Sequence, residues 1–381
     1  MRFSPSTLGL VVPIASITAV GVGIALAIPL LSITLAERGI SAGWIGINAA
    51  TWGLASMAMT PFVPRLAARF GTGRMLAIAI LVGAATLPLF YLFEDFWVWF
   101  PLRAVSGAAL AVAFILSEFW ITSSAAAGQR GLIMGIYATV LSIGLALGPA
   151  VLAIAGTEGL LPFLIGAAIM ALAAVPVILA PVNSPAIGEE ARGGFLRFLV
   201  IAPAATGAAV AFGFAEGGSF ALLPIYGQHV GHAVSDVVLF AAAVTLGNVL
   251  LQIPIGLVSD RVDRRRLLLV IAVIGLAGAA LLPTVAASLP WAMVLLFVWG
   301  GFIGGLYTVG LAHLGQRFSG ADLAAANSAF VFCYSAGSLF GPAGLGIGME
   351  AWDPHGFAVV LAACFLAYVI LLVARMVAVA R

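Results

Sequence analysis

Twelve apolar runs, each about as long as a membrane crossing, constrain this chain more than any other feature of its sequence. A helix needs roughly 20 residues to cross the hydrocarbon layer, whereas barrel strands alternate over about ten. The runs are continuous, so their length decides for helix where periodicity cannot. They fall at Leu8–Ala36, Trp44–Val63, Met75–Phe93, Trp97–Thr122, Leu132–Gly156, Leu160–Val182, Phe198–Tyr226, Asp236–Val258, Leu267–Ala287, Trp291–Gly315, Leu323–Met349 and Phe357–Val379. With 63% hydrophobic and 8% charged residues, the chain has too little polar surface for a soluble globular protein. The expected fold is an all-α integral membrane protein.

The charges that remain set the orientation. All sixteen basic residues are arginine. With the N-terminus in the cytoplasm, Arg2, Arg65, Arg69, Arg74, Arg130, Arg192, Arg197, Arg261, Arg264, Arg265, Arg266, Arg317, Arg375 and Arg381 lie at or near that face. Arg38 is then the one arginine in an outer loop, and Arg103 lies inside a span. Both termini are expected in the cytoplasm and the protein in the plasma (bacterial inner) membrane. The net charge of +2 gives no reason to expect nucleic acid. Cys333 and Cys364 sit in apolar runs without metal-ligand spacing, so no metal and no cofactor is expected. No H-E-x-x-H motif and no G-x-x-x-x-G-K phosphate loop appears, which argues against an intramembrane enzyme and against direct ATP drive.

An internal repeat divides the chain. Span five carries Gly135, Gly144, Gly148 and Pro149 in the pattern G-x8-G-x3-G-P, and span eleven carries Ser328, Gly337, Gly341 and Pro342 in S-x8-G-x3-G-P. Gly148 and Gly341 are 341 − 148 = 193 residues apart, and Gly39 and Gly231, each after the first span of its half, are 231 − 39 = 192 apart. The charged loops around Arg69 and Arg261 are likewise 261 − 69 = 192 apart. Glycines four apart let helices approach closely in lipid, and proline bends a helix. Residues 1–182 and 196–381 are read as two six-helix bundles, and the polar stretch 183–195 as a cytoplasmic linker between them.

The loop after span eight reads Gly256, Val258, Asp260, Arg261, Arg264 and Arg265, with Asp263 following two residues after Arg261. Together with the two six-helix halves and the central linker, this resembles the major facilitator superfamily, whose loop pattern is G-x-L-x-D-R-x-G-R-R. The resemblance covers essentially the whole chain. In the first half only Leu66, Arg69 and Gly71 match; Pro64 and Ala68 replace the glycine and the aspartate. The span-five pattern resembles the motif of bacterial drug:proton antiporters, although Leu152 and Ala153 stand where a glycine pair usually follows. Arg103 and Gly107 resemble a second antiporter motif, R-x-x-x-G. The family implies alternating access, with spans one, four, seven and ten lining a central cavity and the loop and glycine motifs acting in gating.

Ionisable groups inside spans cost about 2.5–3.5 kcal/mol at a helix centre, so each is a functional candidate. Arg103 and Glu118 on span four, Glu216 on span seven and His313 on span ten all fall on helices that the resemblance places at the cavity. Glu216, between Ala215 and Gly217, is the leading candidate for proton coupling; the rival is a protonated structural group bonded to a neighbouring helix. Arg103 binds an anionic group or tunes a carboxylate, or else snorkels to the surface past the interface anchors Trp97 and Trp99. Glu118 is read as part of a gate or structural ion pair with Arg69, Arg74 or Arg130, and His313 as an interfacial residue. Asn48 with Trp52, and Asn248 with Gln252, stand four apart on one helix face each. With Phe220, Trp299 and Tyr307 they are the remaining candidates for the substrate cavity, against the plainer reading of helix contacts and core packing.

The function expected is secondary transport of a small solute, coupled to protons, with export of hydrophobic or drug-like compounds as the leading form. The alternatives are a proton-coupled metabolite importer and a non-transporting sensor or scaffold. The partners expected are the solute, protons and the lipid bilayer, with the protein a monomer.

Overall fold

The computed structural model describes residues 5–40, 42–126, 128–179, 185 and 194–380. Twelve long helices account for most of them: α1 (Pro5–Glu37), α2 (Ala42–Met59), α3 (Thr72–Leu92), α4 (Trp99–Ser124), α5 (Arg130–Ala155), α6 (Leu161–Leu179), α7 (Pro203–His229), α8 (Val234–Ser259), α9 (Arg264–Val285), α10 (Leu289–Arg317), α11 (Gly320–Ala351) and α12 (Gly356–Ala380). There is no strand among the described residues. Among the described residues, eleven of these helices are long and apolar enough to cross a membrane. Exposed large side chains such as Leu54, Leu172, Val200 and Ile370 would be a liability in water and suit a lipid-facing surface. The linker 183–195 lies almost wholly outside the described residues, as do Arg2, Arg192 and Arg381.

Span two ends earlier than the sequence suggests. A 3₁₀ turn at Thr60–Phe62 follows Met59, and a short helix, Val63–Phe70, occupies part of what reads as a loop. Pro61 and Pro64 sit second in these two pieces, within the first turn, where a missing N–H costs nothing. The short helix is amphipathic: Val63 and Ala67 are buried, while Arg65 and Arg69 are exposed. Gly71 follows it at φ 88°, a backbone setting that side chains avoid, and its N–H closes the helix on Ala67. Gly39 and Gly231, one repeat apart, likewise follow α1 and α7 at positive φ.

The chain forms two compact units. The first comprises Met1–Ala125, Val140–Phe195 and Phe318–Ser328; the second comprises Ala126–Thr139, Leu196–Arg317 and Ala329–Arg381. The opening turns of α5 therefore belong to the second unit and those of α11 to the first. Inside the first unit α1 packs on α4 and α6, α2 on α4, and α3 on α4 and α6. Inside the second the same pairings recur six helices later: α7 with α10 and α12, α8 with α10, α9 with α10 and α12.

The repeat extends to individual contacts. A Cβ on Gly21 would strike the carbonyl of Leu141 at 2.8 Å, and a Cβ on Gly213 would strike that of Tyr334. The residues correspond at 213 − 21 = 192 and 334 − 141 = 193. Gly148 lies against Ala25 in the first unit, and Gly337 and Gly341 lie against Val210 and Phe214 in the second. Gly107 meets the carbonyl of Trp52, and Gly300 meets that of Val244 at 2.6 Å from a built Cβ. The glycine patterns of spans five and eleven thus seat α5 on α1 and α11 on α7 at backbone contact.

Candidate functional site

In the second unit, α7 and α11 cross where Gly213, Gly217, Gly337 and Gly341 remove the side chains between them. That approach brings the Tyr334 hydroxyl to Glu216, where it donates to Oε2 at 2.5 Å. Tyr334 stacks on Phe212 and meets Tyr307 edge-on, and Tyr307 in turn meets Phe330 edge-on at 5.1 Å. Glu216 is therefore held at the margin of an aromatic cluster drawn from α7, α10 and α11. Tyr307 is part of that cluster and almost buried, whereas Phe220 is exposed.

The first unit holds a second polar pair. Arg103 on α4 is 2% exposed, so it does not snorkel. Its Nε donates to Asn48 Oδ1 on α2 at 3.1 Å, and its guanidinium lies 6.0 Å from the centre of the Phe90 ring. One turn further along both helices Gly107 meets Trp52. The two four-residue spacings read from the sequence are thus the two sides of one helix contact. Trp99, expected at the interface, is instead fully buried, with its indole N–H on the Phe93 carbonyl and the Arg38 guanidinium over its ring.

The duplication offers a control on both pairs. Glu216 and Tyr334 correspond to Ile24 and Leu141, at 216 − 24 = 192 and 334 − 141 = 193. Arg103 and Asn48 correspond to Leu296 and Phe240, at 296 − 103 = 193 and 240 − 48 = 192. The same packing is thus made with apolar residues in the opposite half. Burying these polar groups is costly, and the fold does not demand it.

A third cluster lies where α8 ends. Asp260 accepts from the backbone N–H groups of Gly131 and Leu132, at 2.6 and 2.8 Å, at the start of α5. Its Oδ1 also takes Arg264 Nη2 at 2.8 Å, and Arg264 reaches on to Ser259 and to Gln316 of α10. Gly131 and Gly256 meet backbone to backbone, and Gly135 lies on the Gln252 carbonyl, which gives the carboxylate its reach. Asp263, standing where the family loop has glycine, caps α9 by accepting from Arg266 N–H at 2.9 Å. Arg261 and Arg69 are exposed; Arg69 lies over the Phe70 ring.

The other candidates serve packing. Gln252 donates to Asn248 at 2.6 Å and to the Gly301 carbonyl, and accepts from Thr308, so this pair joins α8 to α10. Trp299 packs between α9 and α10, where its indole donates to the Gly275 carbonyl and its ring fills the space over Gly278, and together with Ser219, Leu223 and Leu296 it lines a small cavity in the second unit. His313 is buried, at 5% exposure. Glu118 is fully buried in α4. Pro342 lies within α11 and Pro149 within α5, both helices running on past the proline. Tyr334, Gln316 and the aromatic partners of Tyr307 were not anticipated from sequence; comparing the halves at the repeat offset would have flagged Tyr334, since its counterpart is leucine.

A helical membrane protein built from two similarly packed bundles, with ionisable groups held inside its spans, is the architecture of a solute transporter. The family model for the Major Facilitator Superfamily matches residues 14–242 and 205–380. The chain belongs to the major facilitator superfamily, and it is a transporter rather than an enzyme. It is 26% identical over 336 residues to the MFS-type transporter YfkF of Bacillus subtilis, covering 86% of this chain and 85% of that one. It is 25% identical over 351 residues to the MFS-type transporter Ent638_1421 of Enterobacter sp., covering 91% and 90%. Among solved structures it shares the fold of the Escherichia coli fucose:proton symporter FucP, with TM-score 0.79, 14% identity and coverage of 98% and 99%. It also shares that of the human organic anion transporter MFSD10, with TM-score 0.80, 13% identity and coverage of 97% and 100%.

Proposed function

We propose that this transporter exports hydrophobic, drug-like compounds in exchange for protons, by alternating access between two six-helix halves divided at residues 183–195. The observation that carries this reading is the Glu216–Tyr334 pair, at positions where the duplicated half has Ile24 and Leu141. A carboxyl group in an apolar span is costly when ionised and much less so when protonated, and opening to water on one side reverses the balance. Protonation is then linked to the side that is open, which is what coupling requires. The span-five glycine motif and the R-x-x-x-G pair, both seated in helix contacts, support the exchanger form.

The reading is tested with a panel of lipophilic compounds in proteoliposomes under an imposed pH gradient. Gradient-driven movement of at least one compound against its own gradient is expected, and flux indifferent to the pH gradient across the panel would overturn the coupling. The fold also admits proton-coupled import of a metabolite, and the sign of the gradient that drives flux separates the two.

The arginine bias supports cytoplasmic termini in the bacterial inner membrane. Single cysteines, with Cys333 and Cys364 replaced by alanine, check the orientation. One at Gly128 should react with an impermeant thiol reagent only from the cytoplasm, and one at Ala233 only from outside. Reversed labelling would sink the orientation.

A further inference from the structure

We infer that Arg103 and Asn48 form a binding site for an anionic group on the transported solute, a carboxylate, sulfonate or phosphate on a lipophilic body. Arginine has no acceptor, so its Nε fixes Asn48 with Oδ1 toward the guanidinium. What remains is two unused donors on the bonded pair: Arg103 Nη2 and Asn48 Nδ2 are both buried without a hydrogen-bond partner. Both residues are almost wholly inside the protein, at 2% and 0% exposure. Among the described residues no carboxylate lies within ion-pair distance of Arg103. A buried pair of donors with a full positive charge lacks one thing, an acceptor carrying negative charge.

The duplication shows that this deficit is not imposed by packing. Leu296 and Phe240 stand at the corresponding positions of the other half, both buried and both apolar. The neighbouring glycine contact, Gly107 on Trp52, is kept in that half as Gly300 on Val244. Apolar residues therefore occupy the two equivalent positions of the duplicated half. The Phe90 ring beside the guanidinium supplies an apolar wall for the body of the solute.

The inference rests on the chain being a transporter and is independent of proton coupling at Glu216, so it is tested by binding alone, with no pH gradient. Purified protein in a neutral detergent is titrated with phenylalkyl compounds that share one chain and differ in the head group: carboxylate, sulfonate, phosphate, neutral amide and ammonium. Binding is read from the shift in thermal unfolding midpoint with ligand concentration. At least one anion is expected to bind tenfold or more tightly than the amide and the ammonium. Arg103→Leu, which installs the residue of the duplicated position, should abolish that preference, so that the anions bind no more tightly than the amide. Asn48→Ala should weaken it severalfold. Should Arg103→Leu give no folded protein, Arg103→Gln replaces it, with the same expectation. Equal binding of anions and amide by the wild-type protein, or an anion preference that survives loss of the guanidinium, would overturn the assignment.

Discussion

Replacing Glu216 by glutamine should leave the protein folded and abolish transport driven by a pH gradient. Glutamine keeps the size of the side chain and can still accept from Tyr334, so the α7–α11 contact through Gly213, Gly217, Gly337 and Gly341 is undisturbed. It carries no titratable proton. If ionising the carboxyl inside the span costs about 2.5–3.5 kcal/mol, closing the site around it favours the proton by on the order of a hundredfold. That differential is the whole of the coupling available at this position, and glutamine removes it. In proteoliposomes the variant should lose gradient-driven flux by a comparable factor while still exchanging substrate for substrate. Acidifying the side toward which substrate moves should speed the wild type and leave the variant unaffected. Tyr334→Phe, which removes the donor but not the carboxyl, should reduce gradient-driven flux without abolishing it. Full retention of gradient-driven transport by Glu216→Gln would make Glu216 structural and move any coupling to Glu118.

The contrast between the two halves explains which parts of this protein could be read from sequence. Span number, the loop charges and the glycine patterns are repeated signals that depend on chain position alone, and they sufficed for the fold. The same offset pairs Gly21 with Gly213 and Gly107 with Gly300, contacts that no single half would reveal. Side-chain partners across helices were a different matter. Tyr334 lies 118 residues from Glu216, and an aromatic in an apolar helix carries no periodic sign of the face it presents. Trp99 read as an interface anchor for the same reason, since the sequence shows its depth in the span but not its rotation. Asn48 and Arg103 each stood out alone, and only the packing of α2 on α4 joins them. The early end of span two was legible in Pro61 and Pro64, but the strongly apolar residues around them outweighed the prolines.

Asp260→Asn should destabilise the protein and free the start of α5. The carboxylate satisfies two N–H groups that the first turn of any helix leaves without intrahelical partners, and its charge complements the positive end of the helix dipole. It also neutralises Arg264, which is 6% exposed. Asparagine can accept from one amide but cannot balance the guanidinium, and leaving a buried charge unpaired costs about 3–5 kcal/mol. The unfolding midpoint should fall accordingly. Hydrogen exchange at Gly131 and Leu132 should accelerate by about ten- to a hundredfold, as expected for losing a charge-assisted hydrogen bond of about 1.5–3 kcal/mol. Loss of the cap should also loosen the opening turns of α5 from α8. Met134, fully buried in the part of α5 that docks on α8, reports it: a cysteine there should label faster in the Asp260→Asn background, from the side the arginine bias assigns to the cytoplasm. Adding Arg264→Gln removes the stranded charge and should recover part of the lost stability, while amide exchange in α5 stays fast, since the cap is still missing. Unchanged exchange at Gly131 and Leu132 in the single variant would show that Asp260 does not hold α5.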